Sequence, residues 1–371
     1  MLLAEVIEVL DQAYPPRLAE GWDSVGLVCG DPESEVTHAL VCVDVTAEVV
    51  DAALARGAQL VIAHHPLLLR GVDTVAASTP KGALVHCLIR GGCALFTAHT
   101  NADRARGGVN DALAATLGLE VTGPVEHLDA PSALDRWGVM VPPAQADEVL
   151  SAMFEAGAGE VGEYSECAWR VDGVGQFRPG TAANPAIGAS GELTTLTETR
   201  VELVAARDRR AAVLAALRGA HPYEEPAFDV VEIAGAEREW GLGRIGVLPE
   251  PMTLEAFTAH VATALGAPAR AAGDPRGLIR TVAVCGGAGD SLLGAVTRLG
   301  VDAYVTGDLR HHPVDEHLRA GGPAVVDAGH WGTEFPWCAT VAELLWPYLD
   351  VAVHDVPTDP FTVRAAPAGD A

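Results

Sequence analysis

Hydrophobic positions along the first 122 residues follow two alternating rhythms. Short, nearly unbroken apolar runs sit in "THALVCVDVT", "AQLVIAHHP" and "CALFTAHT". Longer segments, "AEVVDAALARG", "KGALVHCLIRGG" and "VNDALAATLG", place apolar residues every three or four positions. The first rhythm predicts strands buried on both faces, the second amphipathic helices. Strands that alternate with helices require right-handed crossovers and a mostly parallel sheet. The opening "MLLAEVIEVLDQAYP" carries Glu5, Glu8 and Asp11 inside its apolar pattern, so it reads as an amphipathic helix and not as a secretory leader.

The same order returns after about residue 240: strand "IRTVAVCGG", helix "DSLLGAVTRLG", strand "VDAYVTGD", helix "VDEHLRAGG", strand "PAVVDAGH". Laying Cys42 on Cys285 also lays Gly57 on Gly300, Val41 on Val284 and Ala52 on Ala295. Residues 1–122 and 239–371 therefore read as related α/β halves. Between them, 123–238 has a different order. Strand "DRWGVMVP", helix "AQADEVLSAMFEAG", strands "ECAWRVDGVGQF" and "ETRVELVAAR", helix "DRRAAVLAALRGA" and strand "AFDVVEI" give βαββαβ, a ferredoxin-like α+β insertion.

Composition narrows the function classes. The formal charge of -26 lacks the basic surface that a phosphate-backbone binder needs, which argues against nucleic acid as a partner. No stretch offers the run of roughly 18 apolar residues that a membrane span requires. Seven scattered cysteines without a CxxC predict a reducing, cytoplasmic setting and no cysteine-type zinc site.

Candidate chemistry gathers at predicted strand ends. His64 and His65 close one apolar strand, "TAHTNAD" puts His99 and Asp103 past the next, and "DAGHWGTEFPW" puts His330 and Glu334 past another. In open parallel sheets, ligands bind beyond the carboxyl ends of the strands, so His64, His65, Asp103, His330 and Glu334 are expected to converge. Adjacent side chains of an ideal strand point to opposite faces. His64 and His65 therefore need either a turn at Pro66 or two separate ions. Three imidazoles with two carboxylates suit Zn, Fe or Mn. Trp331, Phe335 and Trp337 would wall the site.

A second "HHP", at His311 and His312, looks like a copy of the first. On the repeat, however, His64 and His65 fall on Gly307 and Asp308, while "HHPVDEHL" reads as a helix start with Pro313 in its first turn. His312 keeps a proton-carrying role near the cleft as one reading and plain surface exposure as the other. "CGGAGDS" follows a strand and opens a helix, so its amides could cradle a phosphate, or its glycines could serve a tight turn. "GWDSVGLVCGDP" reads as a structural loop, and His221 and Glu224 of "AHPYEEPAFDV" as turn residues.

Taken together, "GWDSVGL", "AHHPLLLRGV", "AHTNAD", "GGVNDALA", "TGDLRHH" and "DAGHWGTE" resemble the NIF-three-like family, the type 2 homologues of GTP cyclohydrolase I. The middle segment is similar to the PII/CutA-like insertion of its longer bacterial members. The resemblance implies a toroidal homohexamer with two divalent ions per subunit, ligated by His64, His65, Asp103, His330 and a bridging Glu334. Ser24 stands where members often carry Asn. A metal-dependent hydrolase acting on a nucleotide-like or phosphorylated small molecule is the expected function, with His312, and His99 as second candidate, moving protons. A non-catalytic metal-binding assembly or regulatory protein is the alternative.

Overall fold

The computed structural model describes residues 1–128, 134–162, 164–233 and 240–363. Met1–Leu128 and Arg238–Ala371 form one compact unit, and Asp129–Glu237 forms another. No helix among the described residues is long and apolar enough to cross a membrane.

In the larger unit, the strands His38–Cys42, Leu60–Ala63 and Ala94–Thr97 lie side by side and parallel. The second of them is buried at every position, as its unbroken apolar run requires. Helices Ala47–Ala55 and Pro80–Arg90 cover one face, each opened by a threonine whose hydroxyl accepts an amide of the first turn. Helix Leu3–Ala13 covers the other face. Gly26–Cys29 runs antiparallel along the edge, beside Ala94–Thr97.

The second half repeats this plan. Leu278–Ala288, Ala303–Gly307 and Ala324–Asp327 form a parallel centre. Arg270–Ala272 runs antiparallel beside the third strand, and helix Leu254–Leu265 packs on one face. The third strand of each half is followed by a five-residue helix, Thr100–Arg104 in one and His330–Glu334 in the other. Each then continues into a longer helix, Val109–Thr116 or Pro336–Leu345. The repeat read from a few residues thus extends through whole halves.

The halves also trade their ends. Val109–Thr116 sends Leu113, Ala114 and Leu117 into the core of the second sheet, and the strand Glu120–Gly123 pairs there with Arg244–Thr253. Pro336–Leu345 sends Trp337, Val341 and Leu345 into the core of the first sheet, and Asp350–Val353 completes that sheet beside His38–Cys42. The sequence reading did not anticipate Arg244–Thr253, Leu254–Leu265, Pro336–Leu345 or Asp350–Val353.

The smaller unit has the expected ferredoxin-like topology. Its strands are ordered Phe228–Glu232, Leu134–Val141, Thr194–Ala206, Ala168–Phe177, all antiparallel. Helices Ala146–Glu155 and Arg210–Ala220 cover one face around Trp137, Val139, Leu150 and Val201.

Arg244 fastens the exchanged segments. Only 2% of it is exposed, and its guanidinium uses all five of its N–H donors. Two go to the Asp111 carboxylate at 2.9 and 2.8 Å, and three to the carbonyls of Gly241, Gly243 and Ala105. Removing Asp111 would leave a buried cation with no counter-charge, and breaking such pairs costs about 3–5 kcal/mol. Asp111→Ala is expected to lower the urea-unfolding free energy by about that much. A change below about 1 kcal/mol, the size of an exposed ion pair, would show that the clasp is dispensable.

Candidate metal centre

Strand Leu60–Ala63 ends one residue before His64, and the chain bends at His64 and His65. The bend releases the alternation of an ideal strand, so both rings lie together, with centroids 5.0 Å apart. His99 caps the short helix Thr100–Arg104, which carries Asp103, and its ring centroid is 5.1 Å from that of His64. From the second half, His330 and Glu334 occupy the first and last positions of their own five-residue helix and share one face. Of the residues expected to converge, all five do, and His99 joins them.

Among the described residues, ligand-capable atoms converge in two sets that share His65. One comprises His64, His65 and His99, the other His65, His330 and Glu334. Glu334 reaches both: its Oε1 lies 3.1 Å from His330 Nε2 and 3.5 Å from His64 Nε2, and its Oε2 lies 3.1 Å from His65 Nε2. Asp103 Oδ1 is 3.7 Å from His64 Nε2.

Each imidazole is oriented from behind. The Nδ1–H of His64 donates to the Ala98 carbonyl at 2.9 Å, that of His65 to Asp44 at 2.7 Å, that of His99 to Asp23 at 2.9 Å, and that of His330 to Asp308 at 2.7 Å. All four tautomers therefore leave Nε2 free to face the centre, the arrangement typical of metal-ligating histidines. Asp44 is itself held by the Thr358 hydroxyl, and Asp23 by the amide and hydroxyl of Thr100. Asp308 has a left-handed backbone, φ 57°, uncommon for a non-glycine residue. The sequence reading missed Asp23, Asp44 and Asp308. Asp44 and Asp308 follow parallel strands closely, so the strand-end argument could have found them.

The donor set fits a metal ion. His64 Nε2, Asp103 Oδ1 and Glu334 Oε2 are buried without a hydrogen-bond partner, and such atoms are costly unless something binds them. His65 Nε2 and His330 Nε2 face one another at 3.2 Å, two lone pairs that only a cation or a proton can reconcile. Burial opposes charge on His65, but Glu334 and Asp44 outweigh it and push the ring up to about 10. Burial likewise opposes charge on His330, and Glu334 with Asp308 raises it to about 9. Burial would raise Glu334, yet the surrounding imidazoles hold it well below the usual carboxylate range. Burial pushes Asp103 up to about 6, while burial and the His64 charge lower His99.

Other expectations fare differently. His311 and His312 open the helix His311–Arg319 and stand exposed, their rings against each other and outside both convergent sets. The structure therefore does not bring His312 to the cluster. In "CGGAGDS", Gly286 N donates to Asn110 and Gly287 N to Thr333, so these two amides are not available to a phosphate. Its glycines serve the centre instead. A Cβ on Gly287 would sit 2.3 Å from Glu334 Oε1 and 3.1 Å from His330 Nε2. "GWDSVGL" supplies the Asp23 anchor and enters the strand Gly26–Cys29, so it is more than a loop. Trp337, fully buried, does wall the His64 ring at 5.3 Å.

The family model described as Duf34/NIF3 (NGG1p interacting factor 3) matches residues 1–360. A Mycobacterium tuberculosis protein named "GTP cyclohydrolase 1 type 2 homolog" is 55% identical, covering 97% of each chain. A Bacillus subtilis protein of the same name is 37% identical over 88% of this chain and 87% of its own. The crystal structure of a Bacillus cereus protein related to NIF3 is 35% identical, with a TM-score of 0.68, covering 98% of this chain and 99% of that one.

Metal loading should expel protons from His65 and His330, whose raised values keep them charged at neutral pH. Affinity for Zn²⁺ is thus expected to climb with pH through neutrality and to level only above about 9 to 10, read by competition with a chromophoric chelator. In the metal-free protein the sign reverses. The same ion pairs stabilise the fold fully below the ordinary histidine value of 6.5 and are lost as pH rises through about 9 to 10. Affinity that does not change with pH would contradict the protonated centre. Asp308→Asn should weaken metal binding by roughly 10–100-fold, because it removes the anionic acceptor behind the His330 ring.

Proposed function

Because the chain belongs to the Duf34/NIF3 family, we propose that the His–carboxylate centre binds two divalent ions and hydrolyses a small nucleotide-like or otherwise phosphorylated substrate. The observation that carries this reading is the pair of donor sets sharing His65, with Glu334 reaching both and three buried polar atoms left unpartnered. Relatives named as cyclohydrolase homologues agree with hydrolytic chemistry on a nucleotide. The nitrogen and carboxylate donors favour Zn, Fe or Mn.

His64, His65, Asp103, His330 and Glu334 would together hold the two ions. Bound there, the ions would supply Lewis acidity, polarising water and a carbonyl or phosphoryl oxygen. The chain's own residues set the rest. Burial favours neutral His99, so its Nε2 can take a proton from the attacking water while Asp23 steadies its Nδ1–H. Asp23 is anionic and well held, which suits an orienting role. His99, not the exposed His312, is therefore assigned the proton.

Purified protein loaded with Zn²⁺, Mn²⁺ or Fe²⁺ would be assayed for two ions per chain and for turnover of GTP and of simple phosphoesters. Glu334→Ala is expected to lose metal and turnover together. His99→Gln should retain both ions while the rate falls about 10²–10⁴-fold, the usual weight of a general base. Full metal content with no turnover of any of these substrates would overturn the hydrolase reading and favour a binding or regulatory protein. Loss of one ion in His99→Gln would make His99 a ligand instead.

A further inference from the structure

The smaller unit holds a cavity of about 250 Å³ that is distinct in chemistry from the metal centre. It lies between the end of the strand Ala168–Phe177, the following proline- and alanine-rich loop, and the "HPYEEP" turn. Three carboxylates line it, those of Glu198, Glu224 and Glu225, and no basic side chain does. The neighbouring Arg178 guanidinium is drawn off to the Gly191 carbonyl at 2.6 Å. The remaining walls are apolar, with Phe177 and Tyr223 at a ring-centroid distance of 6.0 Å and Ile187 and Pro185 opposite in the loop.

The site is built, not incidental. His221 donates from Nε2 to the Met140 carbonyl and accepts the Tyr223 amide on Nδ1, which fixes the turn that presents Tyr223. Glu224 accepts the Asn184 amide at 3.1 Å and ties the loop across the cavity. Gly175 gives Glu198 its room, since a Cβ there would lie 1.9 Å from the carboxylate oxygen. The Tyr223 hydroxyl is buried without a partner. Burial and the adjacent Glu198 carboxylate raise that phenol to about 12, so it stays protonated with its proton toward Glu198, and its oxygen can accept an N–H of a ligand.

Three carboxylates and no basic side chain around a partly apolar space reject anions. A bare metal ion would need their oxygens to converge, and neither convergent set among the described residues includes them. A cation that spreads its charge beside aromatic rings and buries an aliphatic body satisfies every wall at once. The volume is below the ~300–1,000 Å³ of drug-sized sites, which sets the ligand as small. We propose that this cavity binds a small organic cation, an alkylammonium or alkylguanidinium, between the Phe177 and Tyr223 rings and the carboxylates of Glu198, Glu224 and Glu225. The insertion is then a ligand-sensing module, independent of any reaction at the metal centre.

The test is calorimetric titration of the full-length protein with agmatine and with cadaverine, using 1-pentanol as the uncharged control. Saturable binding of an amine and none of pentanol is expected, with at least a tenfold loss of affinity in Glu198→Gln and in Glu225→Gln. Glu334→Ala should bind the amine unchanged, which separates this site from the metal centre. Thermal unfolding of each Gln variant shows whether it is folded; Ile187→Asp, on the exposed loop, supplies a second variant, expected to alter amine binding without touching the three glutamates. No saturable heat with either amine, equal binding of pentanol, or undiminished affinity in both Gln variants would overturn the proposal. Binding lost in Glu334→Ala would also overturn it, by assigning the amine to the other site.

Discussion

A carboxylate with only 3% of its surface exposed keeps its charge only if positive partners surround it, and Glu334 has imidazoles on several sides. That requirement organises much of the larger unit. Two of the rings come from the end of one parallel strand and one from a helix in the other half. Each needs an acceptor behind it, so Ala98, Asp44 and Asp308 are drawn in. The backbone of Gly287 must pass close to the carboxylate, and any side chain there would collide. Without a metal, protons shared with His65 and His330 compensate the charge. With one, the ion takes their place.

The exchange between halves sets the location. Both halves place a five-residue helix after their third parallel strand, and the chain then leaves its own sheet for the other one. The candidate ligands Asp103 and Glu334 ride on these two helices, where the chain crosses over. Asn110 shows the coupling at one residue: its amide nitrogen donates to the Asp103 carbonyl, and its oxygen accepts Gly286 N from the second sheet. One residue further along, Asp111 takes the Arg244 clasp, which holds the same helix. Core packing and site geometry are therefore fixed by one set of contacts, and loosening the exchange would move ligands of both halves.

Much of this was legible from the sequence because it rests on periodicity and on strand ends. Unbroken runs such as "LVIA" marked the parallel strands, and the residues just beyond them marked the site. What escaped depends on three-dimensional partners. Asp23, Asp44 and Asp308 are ordinary aspartates until a ring nitrogen is placed behind them. Asp350–Val353 is a short apolar run whose membership in the first sheet cannot be read from neighbours in sequence, since its partner is His38–Cys42. The glycines of "CGGAGDS" carried a signal, but two explanations fitted it. Only the space around Gly286 and Gly287 showed that close approach to Glu334 was the reason.

A duplicated architecture could have carried two centres, one at each equivalent strand end. Among the described residues one candidate centre forms, because the equivalent positions differ in role. After Leu60–Ala63 come His64 and His65, whose Nε2 atoms face the centre. After the matching strand come Gly307 and Asp308, and Asp308 supplies the carboxylate behind His330. A second pair of imidazoles at that place would crowd His330, since a Cβ on Gly307 already lies within 2.8 Å of its amide. The nearby His311 and His312 cannot substitute, because they come after the turn and begin a helix facing solvent. The two strand ends thus supply different layers of the same site, one its ligands and the other its support.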